Sequence, residues 1–206
     1  STLFDEFMIV MADVPARIRE GMLLMSGDVL LLFNPLQIDY SGLGAAAISF
    51  KEDVETGKRH GVYLCGEDGN VARCLQKQSV DILLSAGAVN EQNRVDIDTG
   101  AVIFSPDMLG SLEAMMNGRE QDFINNHVRL SLYTDFLYPL GSDTTLEQFY
   151  HEKPEGDFSP ELIKCCTAVW NALRPYRMKL LRLAPARFIH FGTTQEIMRL
   201  MSHDIE

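Results

Sequence analysis

Apolar residues in this chain are grouped into short blocks whose spacing switches between helical and strand-like. After Ser1 and Thr2, which can cap, Phe4, Phe7, Met8 and Met11 recur at helical spacing, and Pro15 predicts that helix's end. Met22-Leu23-Leu24-Met25 is a continuous apolar run, the pattern of a strand buried on both faces. It breaks at Ser26-Gly27-Asp28, and a second run from Val29 to Phe33 stops at Asn34-Pro35. Ala45 to Phe50 predicts another strand. Gly61 to Cys65 and Val71 to Leu75 predict a hairpin around Glu67-Asp68-Gly69-Asn70, where Asp-Gly supplies the positive φ of a tight turn. Val95 to Phe104 predicts a long strand running into Ser105-Pro106-Asp107, a cap followed by proline at the first helical position. Leu109, Leu112, Met115 and Met116 of that helix are expected to face the core.

From about residue 118 to 157 the chain is polar and irregular, as in an insertion or surface subdomain. Ser159-Pro160-Glu161 opens the next helix, with Leu162, Cys166, Val169 and Leu173 on one side. Arg177 to Leu183 and Arg187 to Phe191 predict strands, and Thr194 is expected to cap a final helix through Ile197, Leu200 and Met201. Strands and helices in this order predict one α/β domain with a mixed, largely parallel sheet flanked by helices.

Composition narrows the function classes. The 206 residues are 46% hydrophobic and 23% charged, an ordinary globular balance for one domain. No apolar run approaches the roughly 20 residues of a membrane helix, so no membrane partner is expected. A net charge of -11 argues against a nucleic acid polymer, whose binding needs clustered Lys and Arg, but not against a single nucleotide. The four cysteines include the adjacent Cys165 and Cys166 and show no zinc spacing. They read as reduced thiols of a cytoplasmic protein.

Four places could carry chemistry. Gly27-Asp28 follows a predicted buried strand, where an aspartate can hold Mg²⁺ and glycine lets the backbone approach a phosphate; capping of the next element is the plainer alternative. Lys77 follows the hairpin, suited to a phosphate or merely solvated. Asp96-Ile97-Asp98-Thr99-Gly100 places acids inside an apolar strand, where sugar hydroxyls could satisfy them, or one strand face could be wet. Phe188-Ile189-His190-Phe191-Gly192-Thr193-Thr194 delivers a histidine and a Gly-Thr turn onto a helix N-terminus, a natural anion site, although a satisfied core histidine is the commoner explanation of such a residue. Two other patterns are set aside. Gly42-Leu43-Gly44-Ala45-Ala46-Ala47 fits a dinucleotide fingerprint but overlaps a predicted strand where a helix is required, and His151-Glu152-Lys153-Pro154 closes a predicted helix.

The order of these signals resembles the sugar nucleotidyltransferases: Gly-Asp after a strand, a hairpin closing on lysine, a glycine turn within a strand, and a late strand bearing Gly-Thr. The wording of Ser26 to Pro35, Lys77-Gln78-Ser79-Val80, Asp96 to Gly100 and Phe188 to Thr194 resembles the fucose-1-phosphate guanylyltransferase (GDP-L-fucose pyrophosphorylase) family, which includes bifunctional enzymes that also carry an L-fucokinase domain. The resemblance covers nearly the whole chain.

It implies a Rossmann-like nucleotidyltransferase core that converts GTP and L-fucose 1-phosphate into GDP-L-fucose and pyrophosphate. Asp28 would hold Mg²⁺ and Lys77 the sugar phosphate. Gly27, Asp98, Thr99, Gly100, His190, Gly192 and Thr193 would shape the sugar-phosphate pocket, with Asp135 a weaker candidate. Where the superfamily has a second metal-binding aspartate, this chain has His190. The family's Gly-rich phosphate loop is expected before Ser1 and a fused kinase after the core. The chain would then be the central and C-terminal part of the catalytic unit, inactive alone. A non-catalytic sugar-phosphate-binding module on the same fold, or a parent acting chiefly as L-fucokinase, are the alternatives.

Overall fold

The computed structural model describes residues 20–33, 40, 42, 44–151, 158–190 and 192–202. The helix expected over Phe4 to Met11 lies outside them. The strands are β1 (Met22–Met25), β2 (Val29–Phe33), β3 (Ala45–Asp53), β4 (Gly61–Cys65), β5 (Val71–Gln76), β6 (Arg94–Phe104), β7 (Met178–Arg182) and β8 (Ala186–His190). Between them lie α1 (Val54–Gly57), α2 (Val80–Ser85), α3 (Pro106–Met116), α4 (Glu120–Phe123), a π-helical turn (Leu132–Leu137), a 3₁₀ turn (Tyr138–Leu140), α5 (Leu146–His151), α6 (Pro160–Leu173) and α7 (Thr194–Ser202).

The main sheet runs β5-β4-β6-β3-β7 with β1 also paired to β6, and β2 and β8 form a separate ribbon. The mixed α/β class stands, but the balance of strand directions differs from a largely parallel sheet. Among the described strands only β3 and β7 pair in parallel, and the β1–β6, β3–β6, β4–β5, β4–β6 and β2–β8 pairs are antiparallel. A parallel pair needs a long crossover, which the chain from β3 to β7 provides; the Asp68-Gly69 turn joins β4 to β5 directly and so reverses direction. β1 is also not buried on both faces, since Met22 is exposed and the other three residues are half-buried.

The period of two assigns alternate residues to opposite faces. On one face Ala45, Ala47, Val102 and Phe104 pack with Met108 of α3 and Val169 and Leu173 of α6. On the other, Ala46, Ile48, Ala101 and Ile103 pack with Leu31 of β2, and Phe50, Val62 and Ile97 lie in the cluster that takes up Phe188 of β8. Helices α3 and α6 therefore cover one face, and the β2–β8 ribbon lies on the other, where Val54 of α1 and Leu83 of α2 join the Phe188 cluster. Ser105 Oγ accepts from Met108 N and Ser159 Oγ from Leu162 N, two of the caps the sequence predicts. In α6, Cys165 and Trp170 join Leu162, Cys166, Val169 and Leu173 in the core. Gly44 is followed by β3 and not by a helix, so the fingerprint's helical half is missing.

A candidate active site at a split in the sheet

β6 is flanked by two partners on the same side. β4 pairs with it at Ile97 and Asp96, and β1 pairs with it from Ala101 to Phe104. Asp98, Thr99 and Gly100 fall between them. Across the strand, β3 pairs Ala47 with Val102 but Ser49 with Asp98, so the same residues form a bulge. Bulges re-aim side chains and interrupt pairing. This one satisfies itself: Thr99 Oγ1 donates to Ile48 O at 2.6 Å, and Asp98 Oδ1 accepts from Gly100 N at 2.8 Å. Gly100 has φ +71°, and a Cβ there would lie 2.7 Å from Ser26 Cβ. The split thus requires glycine at this position.

A cleft of about 570 Å³ opens at the split. Its floor is Asp98, Thr99 and Gly100. One wall is the open end of the β4–β5 hairpin, with Arg59, His60, Gly61, Gln76 and Lys77. The opposite wall is the β1–β2 turn, with Ser26 and Asp28. Tyr133 enters from the π-helical turn on the helical face, and Phe188, His190 and Glu196 enter from the ribbon face.

The register of the ribbon brings Asp28 to His190, because Val29 pairs with His190. Asp28 Oδ1 accepts from Ser26 Oγ, and His190 Nε2 lies 3.3 Å from Asp28 Oδ2. The serine hydrogen bond first, and the imidazole in support, hold the Asp28 carboxyl below the usual aspartate range. On its other side, His190 Nδ1 is 3.7 Å from Glu196 Oε2. A Cβ on Gly192 would sit 2.9 Å from His190 Cε1 and 3.0 Å from Asp28 Oδ2, so glycine leaves room for the pair. Burial pushes the Asp98 carboxyl up, and Tyr63, fully buried nearby, is pushed well above the phenol range.

Asp28 is the carboxylate suited to a divalent cation, being half-exposed, ionised and at the cleft edge. Among the described residues no three His, Cys, Asp or Glu side chains gather as a metal cage. Mg²⁺ needs none, because one or two carboxylates plus substrate phosphates commonly hold it. The donor chemistry fits Mg²⁺ on Asp28 in that manner.

A profile of the fucose pyrophosphorylase domain matches residues 1–206, the whole chain. The chain belongs to the fucose pyrophosphorylase family. A curated relative is the bifunctional fucokinase/GDP-fucose pyrophosphorylase of Arabidopsis thaliana, 21% identical over 216 residues, covering 98% of this chain and 19% of the relative. Among solved structures, HddC from Yersinia pseudotuberculosis aligns at a TM-score of 0.43 and 14% identity, over 87% of this chain and 53% of that one. An apo UDP-glucose pyrophosphorylase aligns at 0.41 and 12%, over 93% and 56%. The chain thus spans about a fifth of the curated relative and about half of each solved structure.

Of the residues singled out in the sequence, Asp28, Lys77, Asp98, Thr99, Gly100 and His190 line one cleft. Gly192 touches the Asp28–His190 pair without lining it. Gly27 has open space around its Cβ position and forms the turn. Thr193, not Thr194, caps α7: its Oγ1 accepts from Glu196 N while its own N–H donates to Glu196 Oε2, a capping box. Its groups are therefore spent within the helix. Asp135 lies away from the cleft, buried, accepting from Ser131 N at 2.6 Å and Cys166 Sγ at 3.4 Å. Asp96 is bound by Lys51 at 3.0 Å and by Arg182 at 2.8 Å.

The sequence reading left out Arg59, His60, Gln76, Tyr133 and Glu196. The hairpin register held a signal for two of them, since Gly61 opposite Gln76 puts His60 beside Lys77. Tyr133 had none, because its π-helical turn has no period of its own.

Proposed function

We propose that the protein containing this chain transfers GMP from GTP to L-fucose 1-phosphate, releasing pyrophosphate. The observation that carries the proposal is convergence. Four separate segments bring Asp28, Lys77, Asp98 and His190 to one cleft, and family membership supplies the reaction class.

A phosphate oxygen of the sugar phosphate attacks the α-phosphorus of the nucleotide. A new P–O–P link forms as the bond to the bridging oxygen breaks, and pyrophosphate leaves with that electron pair. Such a transfer needs positioning and charge neutralisation more than covalent help. Lys77 holds the sugar phosphate as a point charge. Asp98, kept at the floor by burial and by Gly100 N, meets a sugar hydroxyl, and the Thr99-Gly100 bulge shapes the wall. Asp28 is oriented by Ser26 and His190 and would hold Mg²⁺, which when bound neutralises phosphate charge. Glu196 keeps the far side of His190 occupied.

The test uses the full protein with pairs of substrates. Pyrophosphate release should require GTP together with L-fucose 1-phosphate, and ATP with free L-fucose should yield none from this site. Lys77→Ala should raise the KM for the sugar phosphate about tenfold or more, the loss of one charge-assisted contact, and leave the KM for GTP within about threefold. An unchanged KM for both would return Lys77 to solvent.

A further inference from the structure

We infer that Arg59 and His60 complete, with Lys77, a three-point seat of two cations and an imidazole for the phosphate of the sugar phosphate. The inference rests on the function proposed above and adds two residues to it.

All three groups come from the open end of one hairpin. Lys77 N donates to His60 O at 3.1 Å, extending the β4–β5 ladder by one pair beyond Gly61 and Gln76. Lys77 has φ +48°, a left-handed conformation that a non-glycine residue rarely adopts. The preceding segment is tied down as well: Arg59 N donates to Thr56 O and His60 N to Gly57 O, both at 3.0 Å. The turn that follows α1 therefore delivers Arg59 and His60 to the cleft in a set direction.

The His60 ring is held edge-on by Phe188 at 5.3 Å and by His190 at 5.7 Å between centroids. The charges facing it are Arg59 beside it, Lys77 across the hairpin, His190 on β8 and Glu196 on α7. Burial first, then the three basic neighbours, lower the His60 pKa, and only Glu196 opposes them. Among the described residues neither Arg59 nor Lys77 has an acidic partner. The acids that line the cleft are engaged elsewhere: Asp28 with Ser26 and His190, Asp98 with Gly100 N, Glu196 with Thr193. Unpaired cations gathered in a cleft of a chain with net charge -11 mark a place for an anion. A phosphate dianion matches three donors on one side, with the buried Asp98 floor within reach of the attached sugar.

The phosphate could in principle belong to the sugar or to the nucleotide, and calorimetry with the full protein separates them. Wild type and Arg59→Gln are titrated with L-fucose 1-phosphate, other hexose 1-phosphates, free L-fucose and GTP. Arg59 is exposed, so the substitution leaves folding intact. The expected result is an approximately tenfold weaker affinity for L-fucose 1-phosphate, with GTP and free L-fucose within about twofold. In parallel, adding L-fucose 1-phosphate near neutral pH should move the His60 imidazole nitrogen resonances toward the imidazolium form, because a nearby dianion favours the charged ring. An unchanged sugar-phosphate affinity, a loss confined to GTP, no binding of any sugar 1-phosphate, or an unmoved His60 would overturn the seat. If wild type prefers another hexose 1-phosphate and Arg59→Gln weakens that one equally, the seat stands and the fucose assignment falls.

Discussion

Asp96 and Asp98 are two residues apart on β6, and their surroundings make them different acids. Asp96 is 3% exposed but closed by Lys51 and Arg182, so its charge is compensated within the fold. Asp98 is 7% exposed and has no cation paired with it among the described residues; burial raises its pKa, partly offset by the Gly100 N–H. The sign follows from linkage. A carboxyl whose folded pKa is raised contributes fully below the ordinary value of 3.8 and loses that contribution as pH rises through the folded value. At neutral pH, Asp98 therefore costs stability in the absence of ligand. Asp98→Asn should raise the thermal midpoint at pH 7 to 8, with the gain shrinking as pH falls toward 3.8, while sugar-phosphate turnover drops. Thermal melts across pH would show it, and a lower midpoint at pH 8 than wild type would refute the account of Asp98.

At the scale of elements, the cleft exists because two strands share one side of β6 without meeting. Gly100 holds the seam. Gly100→Ala would place a side chain at φ +71° and 2.7 Å from Ser26 Cβ, pushing β1 and its Asp28 turn outward. The expected cost is about 2 kcal/mol in a urea titration, from left-handed strain plus the clash. Activity should fall more than stability explains, because Asp28 moves with the turn. The sequence showed the strands, the Asp68-Gly69 turn and the Ser105 and Ser159 caps, since each has a local signature: Gly69 has φ +79° and Asn70 N donates to Asp68 Oδ1. Pairing was not legible to the same degree. Apolar runs report burial but not neighbours, so Met22 to Met25 read as a strand enclosed on both faces when it borders the open split. Thr193 and Thr194 are both good caps, and only the reach of Glu196 back to Thr193 decides between them. Asp135 and Tyr133 share one π-helical turn, and no periodicity indicated which of them faces the cleft.

At the scale of the molecule, an acidic protein concentrates Arg59, His60, Lys77 and His190 around one opening. The sheet supplies the geometry, with α3 and α6 on one face, the two-stranded ribbon on the other, and a cleft reached by side chains from both. Among the described residues no helix is long and apolar enough to cross a membrane. The match to the fucose pyrophosphorylase domain spans all 206 residues, whereas the chain is 19% of the length of its Arabidopsis relative, so activity is best measured on the full protein. The central claim is that Asp28, oriented by Ser26 and His190, organises the phosphates over the split in the sheet. Pyrophosphate release from GTP and L-fucose 1-phosphate, measured for wild type and Asp28→Asn side by side with their thermal midpoints, tests it most directly. The account predicts a rate lower by about 10²- to 10³-fold or more at an almost unchanged midpoint, since Asp28 is half-exposed. A near-wild-type rate from Asp28→Asn would contradict it.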